Sequence, residues 1–327
     1  MTLKQLAGER IVVGLGGTSV GRGLRDAIHQ GKVAGVVLFA GNFPSRAAGR
    51  RLIARLQTIP RPPRLRSPLL IMVDQEGGQV KRLSGAPTAS AAAMGARGAG
   101  FSAGQGRRTA ANLRDVGVNV DLAPVLDVGR PGGVIAGTER SFGSTASRVS
   151  ATAVPFTQAL QASGVAATGK HFPGFGAARE NTDFSVERID LSKHELRAVD
   201  EKPYAAYIAA GGKLVMLSTA VYPAFSDAPA AFTRSIATGE LRERLGFEGV
   251  TITDALETPA VESFGSPAAA ALAGTRAGAD LLLCTRLGPA MSAWQALVAK
   301  LRSGALSRAR FEPAVERVLA LRSALRP

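Results

Sequence analysis

Residues 69–74 read Leu69-Leu70-Ile71-Met72-Val73-Asp74, a short apolar run that ends on a carboxylate. Comparable runs rich in Val, Ile and Leu recur at fairly even intervals, and longer segments with helical spacing separate them. Because their hydrophobicity is largely continuous rather than alternating, they are typical of strands buried on both faces, as in parallel sheets. The predicted strands cover residues 11–17, 35–40, 69–74, 118–125, 165–171, 214–219, 249–254 and 279–284.

This alternation of strands and helices predicts an α/β protein built as a (β/α)8 TIM barrel, with a doubly wound parallel sheet as the main alternative. The predicted helices cover residues 45–57, 104–115, 147–163, 235–244 and 268–277. An extra C-terminal helix over residues 310–325 is expected to pack outside the barrel. Because no stretch of linker composition divides the chain, we expect a single domain over residues 1–327.

The longest breaks between predicted elements follow the third, fourth and fifth strands, at residues 75–103, 126–146 and 172–192. In a barrel, extended loops after strands lie on the C-terminal face, where active sites form. The ends of the predicted strands also carry polar residues, namely Asp74, Asp121, Lys170 with His171, and Asp254. Such groups are costly in an apolar barrel unless they meet a ligand or each other. Their grouping therefore predicts a polar site on this face.

The composition excludes several classes of protein and site. With 46% hydrophobic and 20% charged residues, the chain is neither disordered nor collagen-like. Its single cysteine, Cys284, excludes an internal disulfide and a cysteine-based zinc site. The three histidines, His29, His171 and His194, lack the spacing of a local zinc motif. We therefore expect neither a metal site nor a cofactor.

The charge is strongly positive, with 40 Lys and Arg against 25 Asp and Glu and a net charge of +15. Such an excess can attract nucleic acid, anionic membranes or acidic substrates. The arginines are spread along the chain, and aromatic residues make up only 5% of it, so the sequence offers no stacking platform for single strands. We expect a solvated basic surface and no nucleic-acid partner, with a polyanion partner as the alternative.

The first ten residues lack the apolar core of a signal peptide. The apolar runs are also far shorter than the roughly 18 residues that a membrane span needs. The sequence therefore predicts a cytoplasmic protein that does not bind membranes. We further expect a monomer or a weak homodimer.

A glycine-rich segment follows the first predicted strand and superficially resembles a dinucleotide-binding loop. It reads Gly14-Leu15-Gly16-Gly17-Thr18-Ser19, so Ser19 stands where the G-x-G-x-x-G pattern requires its third glycine. Residues 34–39 offer no acidic group for a ribose. We interpret the segment as a glycine-rich turn after a strand.

Five ordered blocks resemble glycoside hydrolase family 3, most closely its bacterial β-N-acetylglucosaminidase (β-hexosaminidase) branch. They are residues 73–83 (VDQEGGQVKRL), 121–128 (DLAPVLDV), 139–143 (ERSFG), 170–176 (KHFPGFG) and 246–257 (GFEGVTITDALE). The resemblance runs almost end to end, from Gly41 and Asn42 to residues 314–321. It implies a TIM barrel and a retaining glycosidase.

The resemblance also implies roles for individual residues. Asp254 lies in the block around the family nucleophile and is expected to form a covalent glycosyl–enzyme intermediate. Retention needs a second group about 5–5.5 Å away that acts first as acid and then as base. The implied substrates are small carbohydrates, by default N-acetylglucosaminides from cell-wall (peptidoglycan) turnover. The residues expected to bind the non-reducing sugar are Asp74, Arg82, Arg140, Lys170 and His171.

The acid/base loop departs from the family pattern. In the family, the K-H-F-P-G-H-G block is followed after four residues by Asp-Ser/Thr-His, whose Asp–His pair is the general acid/base. Here the same spacing gives Asn-Thr-Asp at residues 181–183, so Asn181 and Asp183 replace the pair. Phe175 and Thr219 also stand at histidine positions of the family, and Ala255 stands at an aspartate position.

These departures leave several hypotheses open. In the first, Asp183 or the nearby Glu180 is the acid/base, with its pKa raised by a dry pocket and by Asp254. In the second, weak acid assistance restricts the enzyme to good leaving groups. In the third, the barrel is a catalytically degenerate carbohydrate-binding or regulatory protein. A changed sugar specificity and another acceptor, such as phosphate, are further alternatives. We predict an active glycosidase with Asp254 and Asp183 as its catalytic residues.

Overall fold

A computed structural model describes residues 1–325 and contains an eight-stranded parallel sheet that closes into a barrel. The sheet order is β7-β6-β5-β4-β3-β2-β1-β8, and β7 meets β8 through a bridge between Ile252 and Leu281. The strands are β1 (Ile11–Gly14), β2 (Gly35–Val37), β3 (Leu70–Val73), β4 (Val120–Asp121), β5 (Ala166–Phe172), β6 (Leu214–Leu217), β7 (Val250–Thr253) and β8 (Leu282–Cys284). The predicted (β/α)8 barrel is therefore confirmed.

The strands are continuously hydrophobic because each of them packs against two separate cores, one on each face. On β3, Leu70 and Met72 pack in the barrel interior, whereas Ile71 packs in the larger cluster between the strands and the helices. Both faces of each strand are thus apolar environments, and the charged residues of the strands, Asp121 and Lys170, lie at or near their C-terminal ends. This arrangement places the chemistry at the ends of the barrel.

Helices follow most of the strands. Hydroxyl side chains begin several of them: Ser45, Ser90 and Ser266 each accept a hydrogen bond from the backbone N–H three residues later. The α-helices are α1 (Leu3–Gly8), α2 (Arg22–His29), α3 (Arg46–Gln57), α4 (Ala91–Arg97), α5 (Ala99–Val116), α6 (Val134–Gly137), α7 (Ala146–Ala162), α8 (Lys193–Glu195), α9 (Lys202–Ala209), α10 (Pro259–Glu262), α11 (Pro267–Ala277), α12 (Leu287–Arg302) and α13 (Arg308–Ala324). Shorter elements are the π-helices Leu196–Asp200 and Ser235–Arg244, the 3-10 turns Ala40–Asn42, Pro63–Leu65 and Ala230–Phe232, and two hairpins, Gln75–Gly77 with Val80–Lys81 and Val221–Tyr222 with Ser226–Pro229.

The predicted helices are confirmed with small shifts at their ends, and the segment predicted as a helix at residues 235–244 is a π-helix. The fourth strand is much shorter than the predicted 118–125.

Within the described residues, none of the helices has the length and apolar character that crossing a membrane requires. A single domain over residues 1–327 stays a prediction, and its last two residues lie outside the described range.

The last helix, α13, closes the N-terminal end of the barrel. Its Val318 and Leu321 pack with the interior residues at the strand starts, such as Val12 and Leu70. Arg322 is fully buried, pairs with Glu9, and donates to the Pro68 carbonyl at 2.9 Å. The helix therefore lies outside the strand wall, as expected, but covers the opening opposite the site.

Candidate active site

A pocket of about 350 Å³ opens at the C-terminal end of the barrel strands. Its walls come from residues at the ends of β3, β5 and β7 and from the loops that follow β3, β4 and β5. The structure brings together in this pocket all the residues that the sequence pointed to as catalytic or substrate-binding: Asp74, Arg82, Arg140, Lys170, His171, Asp183 and Asp254.

A charged cluster forms one side of the pocket. The Lys170 ammonium lies 2.7 Å from Asp74 Oδ1 and 2.7 Å from Glu76 Oε1. Arg140 grips the same Glu76 carboxylate with two hydrogen bonds of 2.8 and 2.9 Å. Arg82 reaches the outer oxygen of Asp74 at 3.3 Å. Carboxylates and cations alternate, so each charged group has a partner of opposite sign although most of the cluster is shielded from water.

This pairing sets the ionisation of the cluster. Burial alone would raise the pKa of Asp74 and of Glu76, but the nearby positive charges outweigh it and lower both pKa values. Burial likewise acts to lower the pKa of Lys170, and the two carboxylates outweigh it and raise that pKa. The cluster is therefore fully ionised at neutral pH. It offers charged donors and acceptors to a ligand that carries hydroxyl groups.

His171 is oriented by a buried carboxylate, Asp127. The His171 Nδ1 atom lies 2.8 Å from Asp127 Oδ2. The other oxygen, Oδ1, accepts backbone N–H bonds from His171 at 3.0 Å and from Phe175 at 2.7 Å. With Nδ1 engaged by Asp127, the Nε2 atom is left for a ligand. The Phe175 ring and the imidazole pack in a tilted, edge-type arrangement, with ring centroids 5.6 Å apart.

Asp254 follows β7 and is partly buried in the pocket wall. Its Oδ1 accepts the backbone N–H of Ala255 at 2.8 Å, and its own N–H donates to the Leu217 carbonyl at 3.1 Å. Burial raises the pKa of Asp254, the neighbouring His171 acts to lower it, and the negative charge of Asp183 raises it further. Asp183, which lines the same pocket, is therefore one of the charges that act on Asp254.

The loop after β5 carries Asp183 into the same pocket on a tight turn. The N–H of Phe184 donates to the Asn181 carbonyl at 2.9 Å. The Asn181 side chain accepts the N–H of Asp183 at 3.1 Å and donates to the Asp183 carboxylate at 3.0 Å. Asn181, Thr182 and Asp183 line the pocket, whereas the exposed Glu180 is not among the described residues that do so.

Asp121 does not belong to the site, contrary to the expectation from its place at the end of β4. It is completely buried and accepts the N–H of Gln75 at 3.0 Å, and it does not line the pocket among the residues described. Burial raises the pKa of Asp121 well above its usual value. Asp121 therefore lies within the barrel wall and not in the pocket. Its carboxyl holds the start of the loop after β3 through the hydrogen bond from Gln75.

Sequence reasoning missed two residues of the site. Glu76 is the centre of the charged cluster, and Asp127 orients His171. Both lie inside blocks that resemble the family, and Glu76 follows Asp74 by two residues. A buried pocket with several cations needs matching carboxylates, and this requirement was the signal that could have singled out Glu76.

The positions that depart from the family pattern have distinct surroundings. Ala255 lines the pocket beside Asp254. Thr219 is 1% exposed, and its hydroxyl has no hydrogen-bond partner within residues 1–325. Phe175 fills space against His171. The histidine positions are thus taken by packing residues, and Asp183 is the loop group that brings a carboxyl to the pocket.

Comparisons with known proteins place this geometry in a family. Residues 3–321 match the glycosyl hydrolase family 3 N terminal domain. An Arthroderma benhamiae protein described as an uncharacterized secreted glycosyl hydrolase is 37% identical over 98% of this chain and 93% of its own length. A β-hexosaminidase of Xylella fastidiosa is 36% identical over 84% of this chain and 82% of its own.

Solved structures agree with the sequence matches. A β-N-acetylhexosaminidase from Beutenbergia cavernae superposes with a TM-score of 0.89 at 32% identity, covering 98% of each chain. A family 3 β-N-acetylglucosaminidase from a Paenibacillus species superposes with a TM-score of 0.93 at 34% identity. That match covers 99% of this chain and 63% of the Paenibacillus chain, so this chain spans less than two thirds of its length. On the match across its barrel and on these relatives, the chain belongs to glycoside hydrolase family 3.

Proposed function

We propose that the protein is a retaining β-glycosidase that hydrolyses N-acetylglucosaminides through a covalent intermediate on Asp254. The observation that carries the proposal is the pocket itself, in which Asp254 and Asp183 share the walls with a charged cluster able to bind several hydroxyls. The β-hexosaminidase and β-N-acetylglucosaminidase names of the relatives favour this sugar. Cell-wall fragments in the cytoplasm are the proposed natural source, although the A. benhamiae relative is described as secreted.

The charged cluster binds the non-reducing sugar in this proposal. Asp74 accepts hydrogen bonds from hydroxyls, and Arg82, Arg140 and Lys170 donate to them. His171 presents Nε2, because Asp127 occupies its other nitrogen. Since the ions are already paired before the sugar arrives, binding requires little rearrangement of the charged groups.

The first chemical step is attack by an Asp254 oxygen on the anomeric carbon. The carbon–oxygen bond to the leaving group breaks as the bond to Asp254 forms, and the leaving oxygen takes a proton from Asp183. In the second step Asp183, now ionised, removes a proton from water, whose oxygen attacks the same carbon and releases Asp254. Two inversions retain the β-configuration.

Asn181 takes the positioning part in this scheme. In the family pattern an aspartate positions a histidine, and the histidine transfers the proton. Here the amide of Asn181 positions the carboxyl group of Asp183, which transfers the proton instead. The Asn181 side chain bonds both the N–H and the carboxylate of Asp183. This pairing keeps Asp183 on the pocket side of the turn, and the carboxyl itself carries the proton.

The test combines stereochemistry with a nucleophile variant. Proton NMR of N-acetyl-β-glucosaminide hydrolysis should show the β-anomer as the first product, and α-anomer first would contradict a retaining mechanism. Asp254→Asn should lower turnover by several orders of magnitude, because the amide cannot replace the attacking carboxylate. Unchanged turnover in this variant would remove Asp254 from the mechanism.

One observation favours a second candidate function, a sugar-binding protein without turnover. Asp183 is exposed, and its carboxylate is engaged by Asn181, so the proton donor is less enclosed than the nucleophile. Wild-type protein that binds N-acetylglucosamine in calorimetry but cleaves no member of a nitrophenyl glycoside panel would support the binder. Turnover that requires added phosphate would instead identify phosphate as the acceptor.

The protein is proposed to be a monomer or a weak homodimer, and light scattering measures this oligomeric state.

A further inference from the structure

A basal groove of about 460 Å³ opens at the end of the barrel opposite the catalytic pocket. Its walls come from α3, from the end of α5 with the turn that leads into β4, from Pro68 ahead of β3, from Gly164 ahead of β5, and from Leu325 after α13. These segments reach the starts of the strands, so the basal groove lies on the N-terminal face. Its volume falls within the range of about 300–1,000 Å³ that is usual for small-molecule sites.

Much of the lining of the basal groove is apolar. The buried Ile53, Val116 and Val118 belong to it, together with the exposed Ala54 and the half-buried Leu325. A concave apolar surface gains free energy when a hydrocarbon group displaces water from it. The basal groove is therefore suited to a ligand with an apolar part.

The charged residues of the same lining are mostly arginines. Arg50, Arg61 and Arg114 line the basal groove, and Asp115 is the carboxylate among its described lining residues. Asp115 is already engaged, because Arg50 lies 2.6 Å from it and Arg46 lies 2.9 Å from it. The groove therefore carries a positive charge that its own carboxylate does not neutralise.

Arg61 and Arg114 form no ion pair within residues 1–325. Arg61 donates to the Leu65 carbonyl at 3.2 Å. Arg114 donates to the Ser163 carbonyl, also at 3.2 Å. Burial, and then the positive charge of Arg322, lower the pKa of the half-buried Arg61. A negative charge in the basal groove would therefore stabilise the charged form of Arg61.

The charge of this part of the chain is strongly one-sided. Residues 27–73 contain no Asp or Glu, and residues 46–66 hold seven arginines. Because this segment builds α3 and the wall that follows it, positive potential is concentrated at the basal groove. The large apolar side chains that are exposed within residues 1–325, Phe184, Val186 and Phe264, lie instead in loops at the other end of the barrel. The charge and the concave shape thus favour a dissolved anion over a lipid bilayer.

We propose that the basal groove binds a small amphipathic carboxylate, a molecule with one carboxylate group and a hydrocarbon chain. The carboxylate accepts charge-assisted hydrogen bonds from Arg61 and Arg114. The chain lies against Ile53, Val116 and Val118. Because this site is at the opposite end of the barrel from the catalytic pocket, the inference does not depend on whether the protein hydrolyses glycosides.

Calorimetry with octanoate tests the chemical class of the ligand. Octanoate should bind at one site, and the uncharged octan-1-ol should bind about tenfold or more weakly, because it lacks the charge-assisted hydrogen bonds. Acetate and inorganic phosphate should also bind about tenfold or more weakly than octanoate, because they lack the hydrocarbon chain. The absence of octanoate binding, or an equal affinity for any of the other three, would overturn the inference.

Filling the basal groove tests the location of the site. Ala54→Phe should lower the affinity for octanoate about tenfold or more, because the larger side chain occupies the groove from an exposed position. Ala47→Phe is the matched control, since Ala47 is also exposed, lies about two turns earlier on α3 and is not among the described lining residues. Its affinity should stay within twofold of wild type. Equal affinities in the two variants would contradict the site.

The role of the arginines is tested by a charge-matched set of variants. Arg114→Gln should lower the affinity for octanoate about fivefold or more and leave that for octan-1-ol within twofold. Arg55→Gln removes the same charge from an exposed position on α3 outside the described lining and should have little effect. Arg82→Gln, in the catalytic pocket, should also have little effect. A loss of octanoate affinity in Arg82→Gln and not in Arg114→Gln would place the anion in the catalytic pocket and overturn the inference.

Discussion

The Glu76 carboxylate and the Arg140 guanidinium form a paired hydrogen bond, with Oε2 2.8 Å from Nε and Oε1 2.9 Å from Nη2. Glu76 also accepts from Lys170 at 2.7 Å. One carboxylate therefore holds two cations in place, and both reach the pocket. The geometry of this wall of the pocket therefore depends on Glu76, which lines the pocket itself.

Replacing Glu76 should loosen that wall. Glu76→Gln leaves buried Lys170 and Arg140 with too little negative charge, which we expect to cost about 3 kcal/mol of unfolding free energy. The KM for N-acetylglucosaminides should rise about tenfold or more, because in the proposed function the displaced cations bind the sugar before and during reaction. Urea unfolding and steady-state kinetics measure the two effects. Glu312→Gln, which breaks the exposed pair with Arg308, is the control and should change neither.

The fold could be predicted because the barrel strands are buried on both faces. Each of them leaves an apolar run in the sequence, as residues 69–74 show. That Asp74, Lys170 and Asp254 line one pocket could also be predicted, because parallel strands bring their C-terminal ends to one face of the barrel. The roles of these residues stay predictions.

Contacts between distant loops could not be predicted in the same way. Asp127 meets His171 across 44 residues, and Glu76 meets Arg140 across 64. No local pattern encodes such pairings, because they depend on how the long loops after β3 and β4 fold back. The expectation that Asp121 belongs to the site is wrong for a local reason. Its position at the end of the short β4 does not determine whether its side chain faces the pocket or the barrel wall.

Burial of Asp254 should set the acidic limb of the pH profile. Burial raises the pKa of Asp254, and a carboxyl that acts as nucleophile must be ionised to attack. The acidic limb of kcat/KM should therefore lie above the usual range of an aspartate. Asp183→Asn should leave this limb in place, because a proton donor is uncharged in the reactive form and the amide is uncharged as well. The residual hydrolysis of nitrophenyl glycosides across pH measures it, and a limb that moves to lower pH in Asp183→Asn would contradict the role of Asp183 as proton donor.

The proton-transfer role of Asp183 is tested by its dependence on the leaving group. Asp183→Ala should impair substrates with poor leaving groups far more than nitrophenyl glycosides, which need little acid assistance. Azide should restore turnover of the covalent intermediate, because it attacks without a base. Glu180→Ala, three residues away on the same loop, is the control. Equal and small losses for both variants on every substrate would show that neither carboxyl donates the proton.

The closing helix α13 should matter for stability rather than chemistry. Arg322 is fully buried, pairs with Glu9, and donates to the Ser67 and Leu65 carbonyls at 2.6 and 3.1 Å. Arg322→Ala leaves Glu9 buried without its partner and should cost about 3–5 kcal/mol of unfolding free energy. The KM of the remaining folded protein should not change. Denaturant unfolding followed by kinetics checks this, and a stable variant would contradict the role given to the pair.

The most direct test of the central claim is to trap the covalent intermediate. A 5-fluoro-N-acetylglucosaminyl fluoride slows both steps but leaves departure of the activated fluoride possible, so the glycosyl–enzyme should accumulate. Mass spectrometry of the intact protein and then of its peptides measures the added mass and its position. We predict one sugar on Asp254, in the peptide that contains residues 250–257, and none in Asp254→Asn. A label on any other residue, or turnover of the reagent without a labelled protein, would contradict the account.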